Sequence, residues 1–459
     1  MFSIDTIVIN KSPGEIRAAL FDRDQLETFI VDRPDQRSQI DSIYYGRVNA
    51  VNTRLQAAFI DLGNGQSGYL PASDIVTNLP KQGRLISNMV KEGDAVMVQV
   101  TRDAVADKAC KLSARVSLAG YYLVLTPDQP DVVLSRKIHK QQRSELKSLA
   151  TGMRHDLHGC IVRSNAVNAS PDAIRQDYNR LCDQWQQIEM QSKDGKPPKR
   201  IYTAPDPIER AIIKHLSPKL KTIICNDGRL LNCYQQLINA LMITPVPECV
   251  LFHPSTPNFD QHLLDEQIDS ILTDRVNLPS GGSLIFSETP ALIAIDVNTG
   301  TDTQSPTAIN IEACLELARH IRLRNLSGQV VIDFVAMEKS SDQQQVVKTM
   351  QKVLSHDPVK TFIAGFTKLG LFEMTRKRLG LSISEILCEY DHQPRFSVET
   401  RSINAIAEVL SHARSHPEKH YELYADQLVI DALRSNLSTL RQEAETILGA
   451  PVVLMPPVH

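Results

Sequence analysis

Apolar positions along the chain fall into two rhythms. In one region, two compact apolar runs read as strands: Leu292-Ile293-Ala294-Ile295-Asp296-Val297-Asn298 and Val330-Val331-Ile332-Asp333-Phe334-Val335. Between them, from about Thr307 to Asn325, Ile309, Leu315, Leu317, Ala318, Ile321 and Leu323 recur at a rough helical period. Strand, helix, strand predicts a right-handed crossover with the two strands parallel and adjacent. Residues 41 to 120 follow a different rhythm, with short strands at regular spacing: Ser42 to Val51, Ala57 to Leu62, Gly68 to Leu70 and Ala95 to Thr101. That spacing predicts a small β-barrel. Ahead of it, Thr6 to Ile9 and Ile16 to Phe21 read as two strands and a turn. Beyond it come a polar helix from Ser170 to Met190, a basic Gly/Pro linker from Lys193 to Arg200, and a buried strand at Thr222 to Cys225. The tail predicts a helix from Asn404 to Arg414, a longer one through Leu428 to Leu448, and a last strand from Pro451 to Met455.

The two apolar runs each carry an aspartate, and this changes the picture. An ionised carboxylate in such a run is costly unless a partner or a metal holds it. Both Asp296 and Asp333 fall near the carboxyl ends of their strands, where open α/β sheets gather ligands. Asn298, two residues after Asp296, points to the same face if the strand continues that far. Two carboxylates and a carboxamide are hard oxygen donors, suited to Mg²⁺ rather than zinc. A single aspartate at a strand end would as readily cap a turn; it is the pair with Asn298 that points to a metal site.

Length and charge bound the rest. At 459 residues the chain is too long for one core and predicts about three or four domains. The net charge of −3 gives no global basic field, so a nucleic-acid partner would have to use local patches. There is no apolar run long enough to cross a bilayer, and Met1 to Asn10 lack the features of a signal peptide, so a cytoplasmic protein with no membrane partner is expected. The eight cysteines are scattered, with no Cys-x-x-Cys, which predicts reduced thiols and makes zinc an unlikely cofactor.

In the barrel region, Gly46-Arg47-Val48, then Ala57-Ala58-Phe59-Ile60-Asp61, then Gly68-Tyr69-Leu70-Pro71 resemble an S1 domain, an oligonucleotide-binding barrel. Aromatic side chains on the open face of such barrels stack on unpaired bases. Phe59 and Tyr69 are the candidates, with Arg102 and Lys108 for backbone phosphates. An aromatic after two alanines is equally at home in a core, which is the competing assignment for Phe59.

Nearly the whole chain resembles the bacterial ribonuclease E/G endoribonucleases. The most specific stretches are Leu284 to Asn298 with Ser280-Gly281-Gly282 before it, Ala318 to Gly328, Val331-Ile332-Asp333-Phe334, and Lys368 to Arg378. The resemblance implies a multidomain α/β and β fold. Residues 1–40 and 206–280 would form an RNase H-like subdomain, structural rather than catalytic. It would be interrupted by an S1 (OB-fold) barrel at 41–119 and a 5′-sensor region at 120–205. Residues 281–395 would be a DNase I-like catalytic subdomain and 396–459 a small C-terminal α/β domain. The resemblance further implies that Asp296 and Asp333 bind one Mg²⁺ per active site and that Asn298 orients them. It implies hydrolysis of single-stranded RNA, A/U-rich and preferably 5′-monophosphorylated, to 5′-monophosphate and 3′-hydroxyl ends, in rRNA or tRNA processing or mRNA decay. Gly120, Val124, Arg163, Ser164 and Lys360 match the family's 5′-phosphate pocket.

Several positions depart from the family pattern. Ser164 stands for Thr, and Lys360 for an Arg found in a well-studied member, which keeps the charge but loses the planar fork. The loop between Asp296 and Asn310 is short, and Pro290 and Ala336 replace acidic neighbours of the metal site. The family's Cys-Pro-x-Cys zinc link is absent. Cys388 and His392 alone cannot complete a tetrahedral site within one chain, so a homo-oligomer stays open but a zinc-linked dimer is not supported. Intact Asp296, Asn298 and Asp333 favour an endoribonuclease; Pro290 and Ala336 favour the alternative, a non-catalytic RNA-binding relative that kept the S1 barrel.

Overall fold

The computed structural model describes residues 4–34, 38–63, 65–76, 85–104, 109–154, 158–241, 245–252, 268–289, 291–300, 305–355, 357, 359–378, 380–391 and 393–457. The chain forms two compact units, one of residues 1–36, 217–233 and 247–459, the other of residues 37–216 and 234–246. The architecture is mixed α/β.

The first unit contains the sheet with both aspartates. Its strands are β1 (Arg275–Asn277), β2 (Ser283–Glu288), β3 (Ile293–Asn298), β4 (Gly328–Asp333), β5 (Thr361–Phe366) and β6 (Phe372–Arg376), in the order β1-β2-β3-β4-β6-β5. Helix α1 (Pro306–Leu323) crosses from β3 to β4, which are parallel, and α2 (Ser340–Leu354) crosses from β4 to β5; all other pairs are antiparallel. The helical period seen in the sequence is α1 itself, started by Ser305, whose hydroxyl accepts from the Ala308 amide, with Pro306 at its first position. Both helices bury their apolar stripes on one face of the sheet. Leu284, Ile295, Val297, Val330, Ile332 and Phe372 from the strands meet Ala313, Leu317 and Ile321 from α1 and Val346 and Met350 from α2. Each fully buried aliphatic side chain contributes roughly 1.5–3 kcal/mol there.

Strand alternation sends the other residues of β3, β4, β6 and β5 to the opposite face. Asp296, Asn298, Gln329, Asp333, Phe362, Glu373 and Thr375 are exposed on it, and Ala294 and Val331 are half-buried.

The same unit holds a five-stranded sheet in which Glu248–Leu251, Thr222–Cys225 and Thr6–Ser12 run parallel, followed by the antiparallel meander Glu15–Asp22 and Gln25–Asp32. Two N-terminal strands were expected; the meander has a third, Gln25–Asp32. At the C-terminus, Tyr421–Tyr424 and Val452–Met455 pair in parallel under three helices, Val398–Ser415, Gln427–Arg434 and Ser438–Leu448. The single long helix expected through Leu428 to Leu448 is therefore two. It breaks at Ser435, whose hydroxyl donates to the Asp431 carbonyl at 2.6 Å and the Asn436 side chain at 3.2 Å, and such local side-chain bonds compete with helix propagation.

In the second unit, Ile43–Asn52, Ala57–Gly63, Gln66–Pro71, Cys110–Ser113 and Ala95–Arg102 close into a five-stranded barrel through pairing of the first and last. A closed barrel of five strands is consistent with an oligonucleotide-binding fold. Its core is Ile60, Leu70, Val98, Val100 and Leu112. The fifth strand, Cys110–Ser113, was not read from sequence. The linker expected at Lys193 to Arg200 is shorter than predicted: the preceding helix runs to Asp194 with Gly195 as its cap, and Lys199–Tyr202 pairs onto the barrel strand Ile43–Asn52. A separate small sheet, with Val132–Leu134, Gly159–Val162, Leu123–Thr126 and Leu118–Ala119 in that order, carries Val124, and Gly120 and Arg163 directly follow two of its strands.

Candidate functional site

Asp296 and Asp333 are direct neighbours. The parallel register of β3 and β4 pairs Ile295 with Ile332 and Asp296 with Asp333. Adjacent strands lie about 4.8 Å apart, so both carboxylates can reach one cation. Asn298 shares their face and its Nδ2 donates to Asp296 Oδ2 at 2.7 Å. That bond commits one carboxylate oxygen of Asp296 and restrains its rotamer.

The burial differs from the sequence expectation. Both carboxylates are solvent-exposed, because Ile293, Ile295 and Val297 of β3 and Val330 and Ile332 of β4 are the residues turned against the helices. The apolar run around each aspartate looked continuous only because Ala294 and Val331 occupy the open face. Desolvation is therefore not what marks these residues; the in-register pairing is.

Backbone packing holds the end of β3. Gly281 (φ 90°) turns the chain between β1 and β2, with its amide on the Leu278 carbonyl at 2.9 Å and the Leu278 amide on the Gly282 carbonyl at 2.8 Å. A Cβ on Gly282 would sit 2.6 Å from the Asn298 carbonyl oxygen, and one on Gly300 2.2 Å from that of Gly281. The Gly281-Gly282 motif thus lets this turn lie against the strand end that carries Asn298. After β4, the chain leaving Asp333 is gripped by Asn310 of α1, a residue fully buried (0 % exposed) that sequence reasoning did not single out. Its Nδ2 donates to the Val335 carbonyl at 2.8 Å and its Oδ1 accepts from the Val335 amide at 3.1 Å.

Two other charged residues of the specific motifs, Arg376 and Arg324, are structural. Arg376 is buried and forked onto Asp357, with Nε to Oδ2 at 2.7 Å and Nη2 to Oδ1 at 3.2 Å, while its Nη1 donates to the Leu326 carbonyl at 2.7 Å. Arg324 lies 4.3 Å from the Phe286 ring centroid and donates to the Thr273 carbonyl at 2.7 Å. Beside it, burial first and the Arg324 and Arg319 charges next push the His320 imidazole down to about 3, so it is neutral at physiological pH.

Among the described residues no cluster of three or more His, Cys, Asp and Glu side chains is placed to hold a metal. Mg²⁺ does not require one: it binds through one or two carboxylates and keeps water and substrate oxygens for the remaining positions. The exposed Asp296–Asp333 pair fits that demand. Ala336 is exposed in the loop after β4, two residues before the exposed Glu338, and Glu373 stands on the same face in register with Val331. Pro290 and His392 lie outside the described residues. Cys388 is half-buried, and burial first, then Glu288, raises its thiol pKa.

In the barrel, four of the residues that matter form one row. Phe59 is in register with Tyr69, Tyr69 with Lys111, and Lys111 with Arg102. Both rings are half-buried on the outside of the barrel, 6.1 Å apart between centroids and inclined at 66°, so Phe59 is not a core residue. Arg102 is exposed and Lys111 pairs with Asp74 at 3.2 Å. Lys108 lies outside the described residues. Lys111 was missed from sequence, although its place between the buried Cys110 and Leu112 marks it as the outward position of a strand.

Gly120, Val124, Arg163 and Ser164 fall in the second unit, and Lys360 in the first. Arg163 donates through Nη1 to the Gly120 carbonyl, and its guanidinium pKa is lowered by burial, against the pull of Asp177. Asp177, buried and not foreseen, accepts from the Tyr122 and Leu123 amides at 2.8 and 3.2 Å and from Arg180 at 2.8 Å. A Cβ on Gly120 would lie 2.5 Å from that carboxylate, so only glycine fits. Val124 is half-buried on Leu123–Thr126, and Ser164 is exposed at the start of a short 3₁₀ turn. Lys360 is exposed beside β5, its carbonyl accepting from the Lys377 amide at 2.9 Å.

A paired-aspartate sheet and a barrel bearing an aromatic–cation row together describe an enzyme that handles nucleic acid. Comparison with known proteins makes this specific. The model of the "Ribonuclease E/G family" matches residues 117–379. The chain is 30% identical to ribonuclease G of Haemophilus influenzae, covering 97% of this chain and 95% of that protein, and 31% identical to ribonuclease G of Escherichia coli, covering 97% and 96%. It is 33% identical to ribonuclease E of Haemophilus influenzae over 81% of this chain but only 41% of that longer protein. The chain belongs to the ribonuclease E/G family.

Proposed function

We propose that the protein is a Mg²⁺-dependent endoribonuclease that cuts single-stranded RNA, with Asp296 and Asp333 as its metal ligands. The observation that carries this reading is the in-register, exposed carboxylate pair of β3 and β4. A bound Mg²⁺ supplies charge neutralisation at the scissile phosphate and a more acidic water. The chain's own part is to hold the two carboxylates at one spacing, with Asn298 fixing the Asp296 rotamer and Asn310 anchoring the chain beyond Asp333. The row Phe59, Tyr69, Lys111 and Arg102 takes unpaired bases on its rings and phosphates on its cations. Cleavage leaves 5′-monophosphate and 3′-hydroxyl ends, in rRNA or tRNA processing or mRNA decay. Gly120, Val124, Arg163 and Ser164 serve a 5′-monophosphate, for which a guanidinium offers forked hydrogen bonds, and Lys360 of the first unit is a further cation for RNA phosphate. The barrel is the S1 domain, the aspartate sheet the DNase I-like subdomain, and the five-stranded sheet the RNase H-like subdomain. Among the described residues no helix is long and apolar enough to cross a membrane.

The test is cleavage of a 5′-monophosphorylated, A/U-rich single strand with Mg²⁺, beside a 5′-hydroxyl strand and an Asp296→Asn variant. Internal cuts that the variant loses, made faster on the monophosphate, support both the site and the sensor. RNA binding without cuts favours the non-catalytic relative, for which the exposed Ala336 beside the aspartate loop is the motivating observation.

A further inference from the structure

Phe362, the second residue of β5, is 65 % exposed. It contrasts with Phe366 of the same strand, which packs at 5.3 Å from Phe372 and 5.9 Å from Phe334 between ring centroids on the helix-covered side. Phe362 pairs in register with Thr375, and Thr375 with Gln329, so it stands on the open face that carries Asp296 and Asp333. Two strands across and four residues along separate it from Asp333, about 16 Å by strand geometry. That is a few nucleotides along an extended strand.

We propose that Phe362 is a stacking platform for an unpaired base of the RNA substrate. Three observations favour this occupant. The ring's cross-strand partner Thr375, and Gln329 on the strand beyond it, are polar, so the ring does not belong to a continuous apolar patch of the sort that pairs two protein surfaces. Glu373, exposed between Phe362 and the aspartates, repels a phosphate there but tolerates a neutral base. Lys360 and Lys377, adjacent across the strands and both exposed, stand two residues beyond Phe362 and Thr375 on the same face, where they can take the phosphates that flank a stacked base. A base on a ring and phosphates on nearby cations is the arrangement by which single strands are held without regard to sequence.

The proposal takes its ligand from the ribonuclease reading, so binding and cleavage are measured separately. Binding of a fluorescent single-stranded RNA is followed by anisotropy in EDTA for wild type, Phe362→Ala and Phe362→Trp, beside a duplex of the same sequence. Phe362→Ala is expected to weaken single-strand binding by about 5- to 100-fold, leave duplex binding and the thermal midpoint unchanged, and be restored by Phe362→Trp. Equal losses on single strand and duplex, or no loss on either, overturn the platform. So does a fall in oligomeric mass with RNA affinity unchanged, which assigns the ring to a second copy of the chain. If single-strand binding falls as expected yet no variant or wild type cuts RNA in Mg²⁺, the platform stands and the nuclease reading fails. Cleavage with unchanged binding sinks the platform alone.

Discussion

Replacing Asn310 probes how the fold fixes the second aspartate. Val335, which the Asn310 amide grips through both its amide and its carbonyl, lies two residues past Asp333. Asn310→Ala removes both bonds and leaves two backbone groups of a half-buried residue without partners. At roughly 1–3 kcal/mol for each unsatisfied group, and with water able to reach Val335, the expected loss is about 2–4 kcal/mol. Urea unfolding at pH 7.5, a pH chosen as about neutral, reads that number directly. Activity should fall more than stability explains, because displacement of a reacting group by about 1 Å costs on the order of a hundredfold. The expected result is kcat lowered at least about tenfold with RNA affinity within about threefold. Asn310→Asp sharpens the test. It keeps the acceptor for the Val335 amide but loses the donor to the carbonyl unless the carboxyl is protonated. Burial raises such a carboxyl's pKa in the folded state above its unfolded value, so its stabilising protonated form is lost as pH rises through the folded pKa. The gap between Asn310→Asp and wild type should therefore narrow as pH falls. Wild-type kcat in Asn310→Ala, measured where the variant is folded, would refute the positioning role. A stability loss below about 1 kcal/mol would refute the hydrogen-bond accounting.

Two further outcomes follow from the geometry. Phe59→Ala and Lys111→Ala should each weaken single-stranded RNA binding, about 5-fold or more for the ring, while the thermal midpoint moves little because both side chains are outside the barrel core; a large fall in the Phe59→Ala midpoint would make the ring structural. His320, 4 % exposed and held down to about 3, binds its proton more readily in the unfolded chain. Stability should therefore fall as pH drops below about 6.5, by about 2 kcal/mol at pH 5. His320→Gln, which cannot titrate, should show a shallower fall, and identical pH slopes would show that the ring does not carry the effect.

Much of this molecule was legible in its sequence because local periodicity reports which face of an element is buried. The Thr222–Cys225 strand, the α1 crossover and the parallel Asp296 and Asp333 strands all follow from it. What was missed depends on partners distant in the chain. The strand Gln25–Asp32 hides because Glu27 is buried in it, a placement that Arg322, 295 residues away, makes tolerable with a 2.9 Å bond. Asp177 looked like one more polar helix residue, since the backbone amides it caps lie more than fifty positions earlier. Lys111 belongs to the aromatic row only through the barrel's closure, which joins Cys110–Ser113 to both Gln66–Pro71 and Ala95–Arg102. Asn310 reads as an ordinary helix residue until Val335 is seen beside it. The aspartates were found for a partly mistaken reason: the apolar runs suggested buried charge, whereas the sheet exposes both carboxylates on its open face.

The central claim is that Asp296 and Asp333 act as one Mg²⁺ site, and the most direct test is a Mg²⁺ titration of RNA cleavage by wild type and Asp333→Asn, with RNA affinity measured alongside. The account predicts internal cleavage that saturates with Mg²⁺ in wild type, a loss of several kcal/mol of rate, roughly a thousandfold, in the variant, and RNA affinity within about threefold of wild type. Cleavage by Asp333→Asn with an unchanged Mg²⁺ dependence, or RNA affinity lost in step with cleavage, would contradict it.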